Sequence, residues 1–201
     1  ESCSWDLALM RKTAELAARE ATADGINWTF APMVDITRDA RWGRAMEGAG
    51  EDPYLGSLIA EARVKGFQGG DNWQTLSSPH TLLACGKHFA GYGAAESGKD
   101  YNTAELSMHT LRNVYLPPYE ATLNAGVGSI MASLNEINGV PTTADKWLLT
   151  EVLRKEWGFN GLLVSDYTGI NELVRHGVAK DDKQAANLSA NAGIEMDMNG
   201  A

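Results

Sequence analysis

Residues 161–170 read GLLVSDYTGI. Gly161 to Ser165 have the make-up of a short apolar strand, and Asp166 stands where that strand should stop. Tyr167, Thr168 and Gly169 then turn the chain away. A carboxylate at the carboxyl end of a buried parallel strand is where α/β barrels hold their reacting groups. The bland alternative is an acid that caps a helix or is solvated at a strand end. What surrounds the stretch decides between them.

Working outward, four more apolar runs have the same look: INWTFAPMVDI (26–36), TLLACGKHFAG (81–91), GSIMASLNEI (128–137) and GIEMDM (193–198). They are short and do not alternate strictly, as expected of strands covered on both faces of a parallel sheet. Helical patterns separate them. Residues 5–23 are rich in Ala and Leu, with Ser4 placed to cap the helix and Gly25 to end it. Residues 54–67 follow Pro53, a favoured first helical position. Residues 106–124 have helical spacing, which Pro117 and Pro118 must kink or split. Thr143 is placed to cap a helix whose Leu148, Leu149, Val152, Leu153 and Trp157 form one stripe, with Gly158 past its end. Residues 182–192 are the last helix. Strand and helix in alternation mean a parallel sheet with right-handed crossovers, in a barrel or an open doubly wound sheet. No G-x-G-x-x-G follows the first strand, which counts against a dinucleotide fold. A complete (β/α)8 barrel needs about 250 residues. Only about five strand–helix units fit here, in one domain spanning 1–201, so an incomplete TIM-type barrel is expected. No internal repeat or linker divides the chain.

Composition narrows the function. The 201 residues carry a net charge of −9 and are 44% hydrophobic. That charge argues against nucleic acid, whose phosphates need a basic surface, and no apolar stretch is long enough for a membrane span. Cys3 and Cys85 are too few for a disulfide framework or a thiolate metal site. The four His show no paired ligand spacing. VSDYTG lacks the nucleophile elbow of serine hydrolases. No secretion signal is visible, and the chain opens at ESCSWDL without a Met, as a processed or cut terminus would.

Polar residues recur at the same end of every run. The first ends in Asp35 and leads into TRDARWGRAMEGAGEDPYLG, with Arg38, Arg41, Arg44, Glu47, Glu51 and Asp52. The second ends in Lys87–His88, the third near Asn135 and Asn138, the fourth in Asp166 and the fifth in Asp197. Carboxylates, a Lys, a His, an Arg and flanking aromatics (Trp42, Tyr101, Tyr167) suit the hydroxyls and ring faces of a sugar. No cofactor or metal is expected.

FAPMVDITRDARWGRAMEGAGEDPYLGS, GKHFAGYG, YLPPYEATLNAGVGSIMASLNEINGVP and WGFNGLLVSDYTGI resemble, in this order, the barrel domain of glycoside hydrolase family 3, most closely its bacterial periplasmic β-glucosidases. The resemblance implies Asp166 as catalytic nucleophile, and Lys87, His88 and Arg44 as ligands of sugar hydroxyls in the glucose subsite. Met131 and Tyr167 would line the pocket, and Arg41 and Glu47 would support the loop around Arg44. Tyr167 stands where many members have Trp, and Leu134 where many have Tyr. Tyr92 occupies the position of the His that serves as acid/base in the β-N-acetylglucosaminidase branch, which counts against that branch; β-xylosidase is another alternative within the family. A periplasmic or secreted location is implied as well.

Retention of configuration requires an ionised nucleophile and a protonated carboxyl about 5–5.5 Å away. Glu96, Asp100 and Glu136 are the loop acids present, and none lies in a motif for that role. The acid is therefore expected from outside these residues, and the resemblance implies that a C-terminal domain carries it; the expected partners are a β-glucoside or oligosaccharide substrate, the missing barrel segments and that domain. The alternative of another class is a non-catalytic sugar-binding or structural fragment.

Overall fold

The computed structural model describes residues 1–199. Its centre is a parallel sheet of three strands, β1 (Cys85–Phe89), β2 (Ser129–Ala132) and β5 (Leu162–Val164), in that spatial order. Cys85 faces Ser129, and Met131 faces Val164. The first and last apolar runs flank this sheet through isolated parallel bridges, Trp28 to Leu83 and Met33 to Lys87 on one side and Val164 to Met196 on the other. Backbone bonds from Val34 to Lys87 and from Ser165 to Met196, both 2.8 Å, hold the two outer segments in place. Five strand units thus lie side by side in chain order, as a partial (β/α)8 barrel requires. No bridge joins the first to the last among the described residues.

The third run does not continue as one strand. After Ala132 the chain leaves the sheet and forms a small hairpin of β3 (Glu136–Ile137) and β4 (Val140–Pro141). Asn138 sits at its turn with φ 51°. Its side chain accepts from the Leu106 amide and donates to the Leu106 carbonyl, so it anchors a loop.

Helix ends also differ from expectation, because the carboxylate best placed for the first turn wins the cap. Helix α1 (Leu7–Ala23) is capped by Asp6, which accepts from the Leu9 amide, while Ser4 only accepts from the amide of Asp6. Helix α2 (Pro53–Gln68) is capped by Asp52 and ends at Gly69, φ 78°. Residues 106–124 do split, into α3 (Met108–Thr110), a π-turn (Leu111–Tyr115) and α4 (Pro117–Asn124). Pro117 and Pro118 have no N–H to continue an α-helical ladder; the Leu116 amide bonds the Leu111 carbonyl at 3.0 Å instead. The following helix is a π-helix (Trp147–Glu156), and Asp145, not Thr143, accepts from its Leu148 amide. Thr143 instead donates to the Ser133 carbonyl. A short helix not expected from the pattern, α5 (Glu172–Arg175), precedes α6 (Asp182–Ala192), which Asp181 caps.

Helices pack on the outside of the sheet. Leu148, Leu149, Val152 and Leu153 form the anticipated stripe and are fully buried, each contributing about 1.5–3 kcal/mol by removal from water. Helices α1 and α2 approach until a Cβ on Gly66 would lie 2.5 Å from the Arg11 carbonyl oxygen, so only glycine fits there. Strand side chains on the other side, Cys85, Met131 and Val164, form a separate cluster with Trp28 and Met198 packed against it. This is the lining of the barrel interior.

Candidate active site

Parallel strands deliver their carboxyl ends to one face, and there the loops after the first strand, β1 and β5 converge. Asp166 leaves β5 with its side chain 13% exposed; its Oδ1 accepts from the Tyr167 amide at 2.7 Å. Its Oδ2 lies 3.7 Å from Nε2 of His88, at the end of β1. Nη1 of Arg44 approaches the same Nε2 to 3.3 Å. Three chain segments distant in sequence therefore meet around one imidazole.

Each member is held by its own supports. Arg44 donates to Glu47 through Nε (2.7 Å) and Nη2 (2.9 Å), a bidentate pair that aims Nη1 at His88. This bonding draws the Glu47 carboxyl below its ordinary range, with smaller help from the charge of Lys87. Lys87 is half-buried on the same strand end, and its charge also reaches the Cys85 thiol. That thiol is nevertheless pushed up to about 12, first by burial, with the Asp166 charge adding to it. Met131 is buried beside Cys85 in the barrel lining. Tyr167 is 62% exposed at the mouth.

The floor of the site is aromatic and buried. Tyr92 is fully buried, edge-on to Trp42 and to His88, with the Arg44 guanidinium 5.6 Å from its ring centre. Burial, then the nearby Asp100, pushes its hydroxyl well above the usual phenol range. The loop carrying Tyr92 is pressed onto the first strand: a Cβ on Gly93 would lie 2.2 Å from the Ile36 carbonyl oxygen. Trp42 is buried and donates to Asp100 at 2.9 Å. Tyr101 stands half exposed beside Tyr92, and burial and then the charges of Asp100 and Asp166 push its hydroxyl up.

The structure sorts the polar residues at the strand ends. Asp35, His88, Arg44 and Asp166 form one connected set, and Glu47 supports Arg44 as expected. Arg41 pairs with Asp39 at the surface. Asn135 is fully buried and donates to the carbonyls of Ala90 and Glu136, a loop-fixing role. Asp197 accepts from Ser165 beside the Asp166 strand. Of the loop acids, Glu136 lies 3.7 Å from His176, Asp100 is bound to Trp42, and Glu96 is exposed. Sequence reasoning missed Tyr119. It is fully buried on α4, 84 positions from Asp35, yet donates to the Asp35 carboxylate at 2.8 Å. Its only sequence signal, an aromatic in LPPYE, is indistinguishable from ordinary helix core. Among the described residues no group of three or more His, Cys, Asp or Glu could hold a metal ion.

Fold and site together define a partial barrel domain with a carboxylate set beside an imidazole and a guanidinium at the carboxyl ends of its strands. The sequence matches the glycosyl hydrolase family 3 N terminal domain over residues 2–201, and the chain belongs to that family. It is 48% identical over 195 residues to a periplasmic beta-glucosidase of Salmonella typhimurium, covering 97% of this chain and 25% of that protein. A beta-xylosidase of Formosa agariphila is 40% identical over 198 residues, covering 97% of this chain and 27% of that protein. The crystal structure of a beta-glucosidase from Listeria innocua in complex with glucose superposes with a TM-score of 0.95 at 45% identity, covering 98% of this chain and 28% of that one. The chain thus spans about a quarter of the length of the relatives it matches.

Proposed function

We propose that this chain carries the nucleophile half of a retaining β-glucosidase site, in one domain spanning residues 1–201. The observation that carries the reading is the meeting of Asp166, His88 and Arg44 at the carboxyl ends of parallel strands, in a chain whose relatives include beta-glucosidases from two bacteria. Asp166 attacks the anomeric carbon as the bond to the leaving oxygen breaks, giving a glycosyl-enzyme and an alcohol. Water then cleaves the ester and releases the sugar with retained configuration. The leaving oxygen takes its proton from a carboxyl supplied by another part of the longer protein, a C-terminal domain in this reading. Lys87, His88 and Arg44 hold hydroxyls of the glycone, with Met131 lining the pocket and Tyr167 flanking the aglycone. A periplasmic or secreted location fits the Salmonella relative; among the described residues no helix is long and apolar enough to cross a membrane.

A 2-deoxy-2-fluoroglucoside given to the complete enzyme should trap the ester on the peptide containing Asp166. Asp166→Ala should lower kcat by several orders of magnitude, with azide taking the place of the missing carboxylate and restoring part of the turnover as the inverted α-glycosyl azide. Label on another acid would end the assignment. The Formosa relative makes β-xylosidase the second reading; an aryl xyloside preferred over the glucoside would establish it, and binding without turnover of either would favour a sugar-binding role.

A further inference from the structure

Asp35 lies behind the site, 2% exposed, and belongs to none of the sugar-facing roles above. We propose that Asp35 is a positioning residue that sets the tautomer of His88, so that the imidazole presents Nε2 to the pocket as a hydrogen-bond acceptor. This rests on the reading of His88 as a pocket residue.

The donors and acceptors leave one consistent arrangement. Asp35 Oδ2 accepts from the His88 backbone amide at 3.0 Å and lies 2.8 Å from His88 Nδ1. An ionised carboxylate can only accept, so Nδ1 carries its proton and donates it to Asp35. Tyr119 donates to Oδ1 at 2.8 Å and also reaches the His88 carbonyl oxygen, tying carboxylate, imidazole and backbone into one unit. On the opposite side of the ring, Arg44 Nη1 stands 3.3 Å from Nε2. A guanidinium has only donors, so this approach is favourable when Nε2 offers a lone pair. Asp166 Oδ2 at 3.7 Å is too far to accept a hydrogen bond from that nitrogen.

The polarity has a consequence for the reaction. A proton on Nε2 would repel Arg44 and draw an oxygen of Asp166 toward the ring, away from an anomeric carbon. With the proton held on Nδ1, Asp166 keeps its lone pairs for attack. Any sugar hydroxyl that meets Nε2 must then donate to it, leaving its own oxygen to accept from Lys87 or Arg44.

The test uses the complete enzyme with ¹⁵N-labelled histidine, the His88 signals being assigned by their loss in His88→Gln. In the wild type at neutral pH the expected result is a proton on Nδ1 and a bare Nε2. Asp35→Asn keeps a carbonyl oxygen at the Oδ2 position and should retain that pattern, with kcat/KM for an aryl β-glucoside within about threefold of wild type. Asp35→Ala should show both tautomers and lose at least about tenfold in kcat/KM, the scale of one charge-assisted bond. A wild-type His88 protonated on Nε2 would overturn the proposal, and so would Asp35→Ala with an unchanged spectrum. Asp35→Asn as damaging as Asp35→Ala, with the tautomer retained, would also overturn it, since Asp35 would then act through charge alone. The wild-type spectrum decides even where Asp35→Ala does not fold. The spectrum needs no substrate, so a failed glucosidase reading and a failed tautomer assignment are told apart.

Discussion

Replacing Arg44 by Lys keeps the charge and removes the geometry. Arg44 spends Nε and Nη2 on Glu47 at 2.7 and 2.9 Å while Nη1 stands 3.3 Å from His88 Nε2. A single ammonium on a flexible stem cannot hold both partners, because the fork that spaces them is gone. The Arg44 and Glu47 side chains are 26% and 43% exposed, so their pairing contributes no more than about 1 kcal/mol to stability. The contact at the pocket is worth about 1.5–3 kcal/mol as a charge-assisted bond, equivalent to roughly tenfold to 150-fold in kcat/KM. Arg44→Lys should therefore lose activity by that factor while Tm falls by at most a few degrees. The assay is kcat/KM on an aryl β-glucoside, paired with a melting curve. Activity within about threefold of wild type would show that charge alone matters. A Tm loss that accounts for the whole activity loss would make the residue structural. There is also a pH signature. The Glu47 carboxyl is depressed by Arg44 in the folded protein, so its stabilisation is present above the ordinary carboxylate range and is lost as pH falls through the depressed value. In Arg44→Lys that acid-side loss should be smaller.

Other consequences are as direct. Lys87→Ala and His88→Ala should each cost at least about tenfold in kcat/KM if they bond the glycone, with part of the loss in kcat where contacts tighten in the transition state; near-wild-type values would make the pair structural. Within residues 1–201, a thiol reagent at mild alkaline pH should modify the peptide containing Cys3 in the native protein and the Cys85 peptide only in denaturant, because Cys3 is exposed while Cys85 is buried with its thiol pushed up to about 12; fast labelling of Cys85 in the native state would contradict the packing. Produced alone, the 201-residue polypeptide should self-associate and lack glucosidase activity. Trp5, Leu9 and Leu16 on or beside α1, Ile26 and Phe30 on the first strand, and Met196 on the last are exposed apolar groups at its uncovered margins, and loss of general-acid help alone costs about 10²–10⁴ in rate. A monomer in solution that turns over substrate would defeat this expectation.

Much of the architecture is written locally. Short apolar runs between helical patterns specify five parallel strand units, and the Leu148–Leu153 stripe, the Pro117–Pro118 break and Gly158 just past a helix end follow from periodicity, a missing N–H and the freedom of a residue without Cβ. Asp166 was legible for the same reason, since strand polarity alone places it at the carboxyl face. The motif resemblance carried the rest of the expected pocket. Cap choice was less legible: Ser4 and Thr143 are sound caps in isolation, yet Asp6 and Asp145 accept from the first turns. Neighbouring candidates differ by too little locally, so the path of the incoming chain decides.

What the sequence by itself determined was the order and direction of the strands, and hence which end carries polar groups. Only the tertiary structure decided which of those groups share a site. Asn135 and Asn138 stand at a strand end just as Asp35 and His88 do, yet the first two bind loop backbone while the latter pair bonds to each other and, through His88, approaches Asp166 and Arg44. The Tyr119–Asp35 bond spans 84 residues. Contacts of that range depend on how helices settle on the sheet, and a side chain's hydrogen-bond partner is set by distances of a few tenths of an ångström that no local pattern encodes.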